Sequence, residues 1–370
     1  MSTITFREVW KCFGETVAIK NLSFEVMDGE FFVLFGPAGA GKTTTLNLIA
    51  GLFKPTVGEI TIGGRIVNDL PPVQRKVAMA FENYSLFPHM TVYENLANPL
   101  KAPSLKVAPS EMSARISQTA GMLGITDLLD RNPHQLSGGQ KQRTALGRAL
   151  VKDADVLLLD EPLAHVDAKI RNELRTEFHR LEALKQRTII YVTHDYLEAL
   201  SLGTRIGILD HGQFRQIAPP RVIYEKPCDT FVAQSVGWPQ INLLECDVFQ
   251  EDGVLYLVNP EARFRLRPTS EAAQLIETKS KDRVLVGIRG QHISPTPNDE
   301  EGVNIVLGQA EVFMPLGITG FLTVRVGRSI INVVTSPDAK YDHKQNVSLK
   351  IDDQQLIFFD AQSQRNLIYC

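Results

Sequence analysis

The stretch FFVLFGPAGAGKTT, at residues 31–44, joins an apolar run to a glycine-rich turn and then to Lys42 and Thr43. Five apolar residues predict a buried strand, and the run from the lysine to Gly51 predicts a helix. Glycines allow a turn whose N–H groups face a polyphosphate, with Lys42 at the outer phosphates and the Thr43 hydroxyl on Mg²⁺. The predicted phosphate-binding residues are Gly36, Pro37, Ala38, Gly39, Ala40, Gly41, Lys42, Thr43 and Thr44.

A second apolar run, from Val156 to Leu159, ends in Asp160 and Glu161. A carboxylate at a strand end beside a phosphate-binding turn can hold Mg²⁺, so Asp160 is a predicted metal ligand. Glu161 follows it and can orient or deprotonate an attacking water, which predicts hydrolysis. Such runs alternate with helical stretches, which predicts an α/β fold with a mainly parallel sheet and the site at the carboxyl ends of its strands.

The pentapeptide LSGGQ, at residues 136–140, precedes an amphipathic stretch at 140–152. Ser137 is a favourable N-cap, and two glycines at the start of a helix form a second nest for an anion. Alone, the pentapeptide is also compatible with an ordinary capped turn. Its position one strand upstream of Asp160 favours the anion site, and a monomer that binds one nucleotide does not need two such nests.

The length of 370 residues predicts two domains, because one hydrophobic core rarely serves a chain of this size. Residues 1–235 carry the strand and helix patterns, with a helical subdomain at about 85–153, whereas 236–370 contain short β-rich runs separated by turn signals. The four cysteines form no C-x-x-C pair, which predicts free thiols. No apolar run approaches the ~20 residues that span a bilayer, so a membrane role is expected to come through a partner.

Four segments together resemble the ATP-binding cassette (ABC) ATPases: GPAGAGKTT, LSGGQKQR, VLLLDEP and the strand that ends in His194. The resemblance implies that ATP and Mg²⁺ bind here and that two subunits pair head to tail. Each nucleotide would then lie between the lysine turn of one chain and the LSGGQ of the other. The residues that would contact the partner's ATP are Ser137, Gly138, Gly139, Gln140 and, in a loop that crosses the dimer, Asp167.

Two further residues take predicted roles from the same resemblance. Phe13 matches the aromatic residue that stacks on adenine, although an aromatic beside Gly14 in a predicted loop is also compatible with simple packing. His194 matches the histidine that contacts the γ-phosphate. Both assignments come from the family pattern, because neither residue type alone identifies a nucleotide site.

The resemblance extends to one subfamily, the ATPases of bacterial sugar and polyol importers. The segments that carry it are FENYSLFPHMTVYENLANPL (81–100), EPLAHVDAKIRNELR (161–175), CDTFVAQSVGWPQINLL (228–244), VLVGIRGQHI (284–293), EVFMPLG (311–317) and IDDQQLIFFD (351–360). The last three are similar to the OB-like (TOBE) regulatory domain of that subfamily. In these systems the region from Tyr84 to Glu94 receives a helix of the permease, which makes Tyr84, Phe87 and Pro88 predicted contacts, although local turn packing would also explain them.

Glu82 departs from the family pattern, which places Gln in the loop after the strand at 76–81. Gln offers an oxygen to Mg²⁺ and an N–H₂ group to water, whereas an ionised Glu offers only oxygens. Glu82 is therefore a predicted metal ligand and, with Glu161 and His194, a predicted catalytic residue. Its charge near Asp160 leaves two other interpretations open: a neutral substitution, or a regulatory or degenerate-site partner in a heterodimeric ATPase pair.

Together these features predict the energy-coupling ATPase of an importer for a carbohydrate or polyol, such as a sugar, glycerol or glycerol phosphate. The expected partners are a second ABC ATPase subunit, identical or not, two membrane permease subunits and, indirectly, an extracytoplasmic solute-binding protein. The expected location is the cytoplasmic face of the inner membrane, as a peripheral protein. No nucleic-acid partner is expected, because the net charge is −3 and no long coiled coil or basic surface is evident.

Overall fold

A computed structural model of the chain describes residues 2–369 except 82, 103–106, 153, 165, 168, 170, 177, 179–186, 261–263, 280–281 and 297–301. The chain divides into two compact units, Met1–Pro220 and Arg221–Cys370. This division lies at the first residue of the helix Pro220–Glu225 and before the helix Thr230–Ser235, whereas the sequence predicts a boundary after both. The boundary between the ATPase domain at 1–235 and the regulatory domain at 236–370 stays a prediction.

The strands of the first unit form two sheets. They are β1 (Ile4–Phe13), β2 (Thr16–Val26), β3 (Phe31–Phe35), β4 (Val57–Ile62), β5 (Arg65–Ile66), β6 (Val77–Ala80), β7 (Val156–Asp160), β8 (Thr188–Thr193), β9 (Arg205–Asp210) and β10 (Gln213–Ala218). The larger sheet has the order β10-β9-β3-β8-β7-β6 and is parallel except for β10, while β2-β1-β4-β5 is antiparallel. The predicted α/β fold with a mainly parallel sheet is confirmed.

The helices of the first unit are interspersed with these strands. They are α1 (Lys42–Ala50), α2 (Val92–Ala97), α3 (Pro109–Met122), α4 (Gly138–Leu150) and α5 (Tyr196–Leu202), with 3₁₀ turns at Pro72–Gln74, Asn98–Lys101, Thr126–Leu128 and Pro133–Gln135. Residues 171–176 are also helical. Leu46 and Ile49 of α1 share one apolar core with Leu34 of β3 and Leu158 of β7, which fixes α1 against the parallel sheet. None of the described helices is long and apolar enough to cross a membrane.

The second unit is rich in strands, as predicted. They are β11 (Asn242–Glu251), β12 (Val254–Val258), β13 (Arg265–Leu266), β14 (Arg283–Ile288), β15 (Ile293–Thr296), β16 (Ile305–Pro315), β17 (Gly320–Val326), β18 (Ser329–Thr335), β19 (Asn346–Ile351) and β20 (Ile357–Asp360). Two antiparallel sheets, β13-β12-β11-β14-β20 and β15-β19-β16-β17-β18, enclose one apolar core. The helices are α6 (Pro220–Glu225), α7 (Thr230–Ser235) and α8 (Ser270–Lys279), with 3₁₀ turns at Gly290–His292 and Asp353–Gln355.

Cys246 of β11 lies fully buried in that core. The reactivity of its thiol therefore tests whether the second unit has this fold. Burial, with smaller contributions from Asp247 and Glu245, raises the pKa of its thiol from 9.0 to about 12. Such a rise lowers the thiolate fraction about 10³-fold at neutral pH. We expect iodoacetamide to label the half-buried Cys12 and Cys228 in the native protein, and Cys246 only after unfolding, as read by peptide mass spectrometry. Rapid native labelling of Cys246 would contradict the fold of this unit.

Candidate functional site

Four parallel strands end side by side at one edge of the larger sheet. β3 leads into the glycine turn, β7 ends at Asp160, β8 ends at Thr193 and β6 lies beside β7. Neighbouring parallel strands bring their carboxyl ends to the same edge. The glycine turn, Glu161 and His194 therefore meet there, although they are far apart in the chain.

The turn between β3 and α1 requires glycine at its two ends. A Cβ atom on Gly36 would lie 2.2 Å from the carbonyl oxygen of Leu209. One on Gly41, where φ is 103°, would lie 2.9 Å from the carbonyl oxygen of Ala18. Any side chain at either position would displace backbone, so the two glycines fix the path of the turn.

Lys42 is the first residue of α1 and is only 6% exposed. Its ammonium donates hydrogen bonds to the carbonyl oxygens of Gly36, at 2.8 Å, and Pro37, at 2.9 Å. The charge is thus held inside the turn, next to its exposed residues, which are Pro37, Ala38 and Gly39. A buried cation under a glycine turn at a helix N-terminus fits the phosphates of a nucleotide.

Thr43 and Asp160 bring two oxygen ligands together beside the lysine. The Thr43 hydroxyl donates to Oδ1 of Asp160 at 3.2 Å, and Asp160 is 3% exposed. Hydroxyl and carboxylate oxygens are the ligands that Mg²⁺ prefers, so this pair fits the ion. Glu82, the third predicted ligand, lies outside the described residues. Among the residues that are described, no group of three or more His, Cys, Asp and Glu side chains could hold a metal.

Glu161 and His194 form a contact at the same edge. Oε2 of Glu161 lies 2.8 Å from Nδ1 of His194, and the Glu161 side chain is 17% exposed. The backbone of Glu161 has φ 45°, an uncommon value for a residue with a side chain. Its N–H donates to the Val192 carbonyl oxygen, and its own carbonyl accepts a hydrogen bond from Gln142. A fixed carboxylate next to an imidazole can accept a proton from water.

A buried carboxylate holds the segment that carries His194. Glu198 of α5 accepts hydrogen bonds from the hydroxyl groups of Tyr191 and Thr193, both at 2.8 Å. Burial raises the pKa of Glu198, and burial with the nearby Glu198 carboxylate raises the pKa of Tyr191 well above its ordinary value. Asp195 caps the start of α5. The sequence interpretation did not identify this network, because its members are recognisable only once β8 and α5 are packed.

Ser137 caps α4, as its position in the sequence predicts. Its Oγ accepts a hydrogen bond from the Gln140 N–H at 3.3 Å, and Oε1 of Gln140 accepts one from the Ser137 N–H at 2.9 Å. The Gln140 side chain therefore stabilises the tip of its own helix, and its predicted contact with a partner's ATP stays a prediction. Ser137 and Gly138 are exposed, which leaves the N-terminal end of α4 accessible.

Phe13 lies at the end of β1, so its predicted position in a loop is wrong. The strand continues to Phe13 because the turn before Thr16 is tight, and the two residues pair across it. The Phe13 ring is 43% exposed, contacts the edge of Phe53 at 5.1 Å between centroids and has the Lys11 ammonium 4.8 Å from its centroid. Asp167, the residue predicted to cross the dimer, is exposed.

A groove of about 580 Å³ lies on the first unit beside β6 and α4. The predicted contact Phe87 lines it, and the Arg148 guanidinium lies 5.4 Å from the centre of the Phe87 ring. Of the other two predicted contacts, Pro88 is exposed and the Tyr84 hydroxyl lies 3.6 Å from where a Cβ on Gly138 would be. The apolar walls of the groove include Leu52, Val73, Val77, Met79, Phe81 and Pro99.

Comparison with known proteins gives concordant matches. The family model "ABC transporter" matches residues 19–164. The chain is 42% identical to the trehalose/maltose import ATP-binding protein MalK of Thermococcus litoralis, over 88% of this chain and 89% of the relative. It is 38% identical to the sn-glycerol-3-phosphate import ATP-binding protein UgpC of Cereibacter sphaeroides, over 99% of this chain and 100% of the relative. A dimeric post-hydrolysis structure of the ATP-binding cassette MJ0796, bound to ADP and Pi, has a TM-score of 0.55 and 32% identity, covering 59% of this chain and 99% of that one.

Proposed function

The chain belongs to the ATP-binding subunits of ABC importers, and from that membership we propose that it powers the uptake of a carbohydrate or polyol. As an ABC transporter ATPase it hydrolyses ATP. The observation that carries the ATPase role is the single sheet edge at which Lys42, the Thr43–Asp160 pair and the Glu161–His194 pair meet. The direct test is phosphate release by the purified chain with ATP and Mg²⁺, compared with the variant Glu161→Gln.

Each side chain at this edge has a task that follows from its position. Lys42 exchanges two carbonyl oxygens for phosphate oxygens, which keeps its charge paired when ATP enters. Thr43 and Asp160 would hold Mg²⁺, which supplies charge neutralisation on the phosphates. Glu161 accepts the proton of the attacking water, and His194 orients the Glu161 carboxylate beside the γ-phosphate. Phe13 is the proposed stacking partner of adenine.

The nucleotide site is composite in this proposal, because two chains pair head to tail. The exposed tip of α4 supports it, since a helix N-terminus that is accessible offers an anion site in addition to the lysine turn. The related MJ0796 cassette is dimeric with ADP and Pi bound. The residues that would face the partner's ATP are Ser137, Gly138, Gly139, Gln140 and Asp167.

The groove beside β6 is the proposed seat of a permease helix. Its walls are apolar, and Val73 and Leu52 expose 76% and 48% of their surface, which is unusual for large apolar side chains without a partner. An amphipathic helix can bury its apolar face in a groove of this kind. Docking here would place the chain at the cytoplasmic face of the membrane, and the two grooves of a dimer would connect it to two permease subunits.

Phe87→Ala is expected to weaken this docking selectively. The backbone of Phe87 is held by the Asn95 side chain, so the variant should fold while losing one wall of the groove. We expect copurification with the permease subunits and coupled uptake to fall about tenfold, and ATP hydrolysis by the isolated chain to fall much less. Val57→Ala, which truncates an apolar side chain that is more exposed than Phe87 and lies outside the groove, is the control. Equal copurification of both variants would refute the assignment.

The substrate class rests on the relatives. One relative is named for trehalose and maltose import and another for sn-glycerol-3-phosphate import. Uptake of labelled maltose, trehalose and sn-glycerol-3-phosphate, measured with the permease and an extracytoplasmic binding protein present, would identify the substrate. The second unit is the proposed regulatory domain.

A second candidate function rests on Glu82. A carboxylate in place of the family's Gln suits a subunit that works beside a non-identical ATPase, whose site supplies the amide. ATP hydrolysis by the purified chain alone, at a rate typical of an active cassette, would exclude this candidate. An inactive homodimer that gains activity with a second cassette would favour it.

A further inference from the structure

Gln142 is the fifth residue of α4, and only 3% of its surface is exposed. Its side-chain nitrogen Nε2 donates a hydrogen bond to the carbonyl oxygen of Glu161 at 2.9 Å. The helix that begins at Ser137 is thereby joined to the residue that carries the carboxylate of the candidate site. The two residues are 19 positions apart, on either side of β7, so the contact forms only when α4 packs against the sheet.

The backbone of Glu161 is in a strained region and is held by hydrogen bonds. Its N–H donates to the Val192 carbonyl oxygen, and its carbonyl accepts from the Ala164 N–H at 3.2 Å as well as from the Gln142 side chain. Its φ of 45° is left-handed, and residues with a side chain adopt that conformation only when their surroundings impose it. Pro162 follows it, and a proline disfavours the right-handed helical region for the preceding residue. The competing conformation of Glu161 is therefore extended, which would turn its carboxylate away from His194.

We propose that Gln142 is a positioning residue for ATP hydrolysis, because its amide holds the Glu161 backbone in the conformation that presents the carboxylate to the attacking water. The inference rests on the proposed function, in which Glu161 is the base. The position of Gln142 on α4 also connects the carboxylate of one subunit to the nucleotide of the other. Ser137 and Gln142 lie on one helix, about 7.5 Å apart along its axis, so a partner's nucleotide at the tip of α4 would fix the Gln142 amide as well.

Gln142→Met tests this assignment, because methionine keeps the length of the side chain and removes the donor. We expect kcat to fall about 10–100-fold, as for a reacting group displaced by about 1 Å. The KM and the affinity for ATP should stay within about twofold of the wild-type values, because the phosphate-binding residues are untouched. Gln142→Leu, which also removes the donor and adds no ionisable group, should lose activity similarly and serves if the methionine variant folds poorly.

Two comparisons separate positioning from general destabilisation. Thr144→Val removes another buried hydrogen bond of α4, from the Thr144 hydroxyl to the Gln140 carbonyl, and should leave kcat within about twofold of wild type. Adding Gln142→Met to Glu161→Gln should cause no further loss of residual turnover, because both act through one carboxylate. A wild-type kcat for Gln142→Met beside an inactive Glu161→Gln would overturn the inference and leave the proposed function intact. An active Glu161→Gln would overturn both.

Discussion

Replacing Glu161 by Gln is expected to lower kcat for ATP hydrolysis by about 10²–10⁴-fold, the usual contribution of a general base. The amide has the shape of the carboxylate but cannot accept the proton of water. It can still contact His194, and Lys42 and the Thr43–Asp160 pair are unchanged, so ATP should bind with nearly wild-type affinity. Phosphate release measures the first effect, and equilibrium binding of ATP with Mg²⁺ measures the second.

The acidic residue at the opposite end of the same strand supplies the matched control. Asp155 precedes β7 at its amino end, is exposed and lies 3.9 Å from Lys76. Asp155→Asn removes one carboxylate, as Glu161→Gln does, yet should leave kcat within about twofold of wild type. If the two variants hydrolyse ATP at similar rates, Glu161 is not the base.

The Thr43–Asp160 pair shows how far the sequence could predict this site. The two residues are 117 positions apart, yet their oxygens meet at 3.2 Å. The spacing of Gly36, Gly41 and Lys42 predicts a local turn. The two glycines fit where a Cβ atom would collide with backbone, and the lysine places a positive charge inside the turn. The rule that parallel strands end at one edge then extends the prediction to Asp160. The geometry of a local turn and the order in which parallel strands end at one edge can both be predicted from a sequence.

The contacts of Gln142 and Glu198 show what could not be predicted. Gln142 reaches the Glu161 carbonyl, and Glu198 receives two hydroxyl donors, only because helices pack at particular rotations against the sheet. No periodicity encodes those rotations. The end of β1 could not be predicted either, because the strand continues past a register shift between Phe6 and Val9 as far as Phe13, which the sequence pattern places in a loop.

If each ATP is bound by the lysine turn of one chain and the α4 tip of the other, two variants that are each inactive for a different reason should complement one another. Lys42→Ala removes the cation under the glycine turn and should lower ATPase activity at least about 100-fold. Gly138→Asp places a carboxylate in the first turn of α4. The new Cβ would lie 3.6 Å from the Tyr84 hydroxyl, an ordinary contact, and an acidic residue at a helix N-terminus is favourable, so the fold should persist. The carboxylate would repel a phosphate ~5 Å away by roughly 3 kcal/mol at an effective dielectric of about 20.

Mixing the two inactive chains should restore activity if each ATP is bound by both subunits. In a mixed dimer, the intact lysine turn of the Gly138→Asp chain faces the intact α4 tip of the Lys42→Ala chain, which completes one site. Random pairing makes half of the dimers mixed, so about a quarter of the wild-type ATPase activity should return if the sites act independently. Tagging one variant and copurifying the untagged one can establish that mixed dimers form, and phosphate release can follow their activity. Mixed dimers that stay inactive would show that the lysine turn and the α4 tip do not share a nucleotide, and the proposed coupling of Gln142 to the partner's ATP would fail with them.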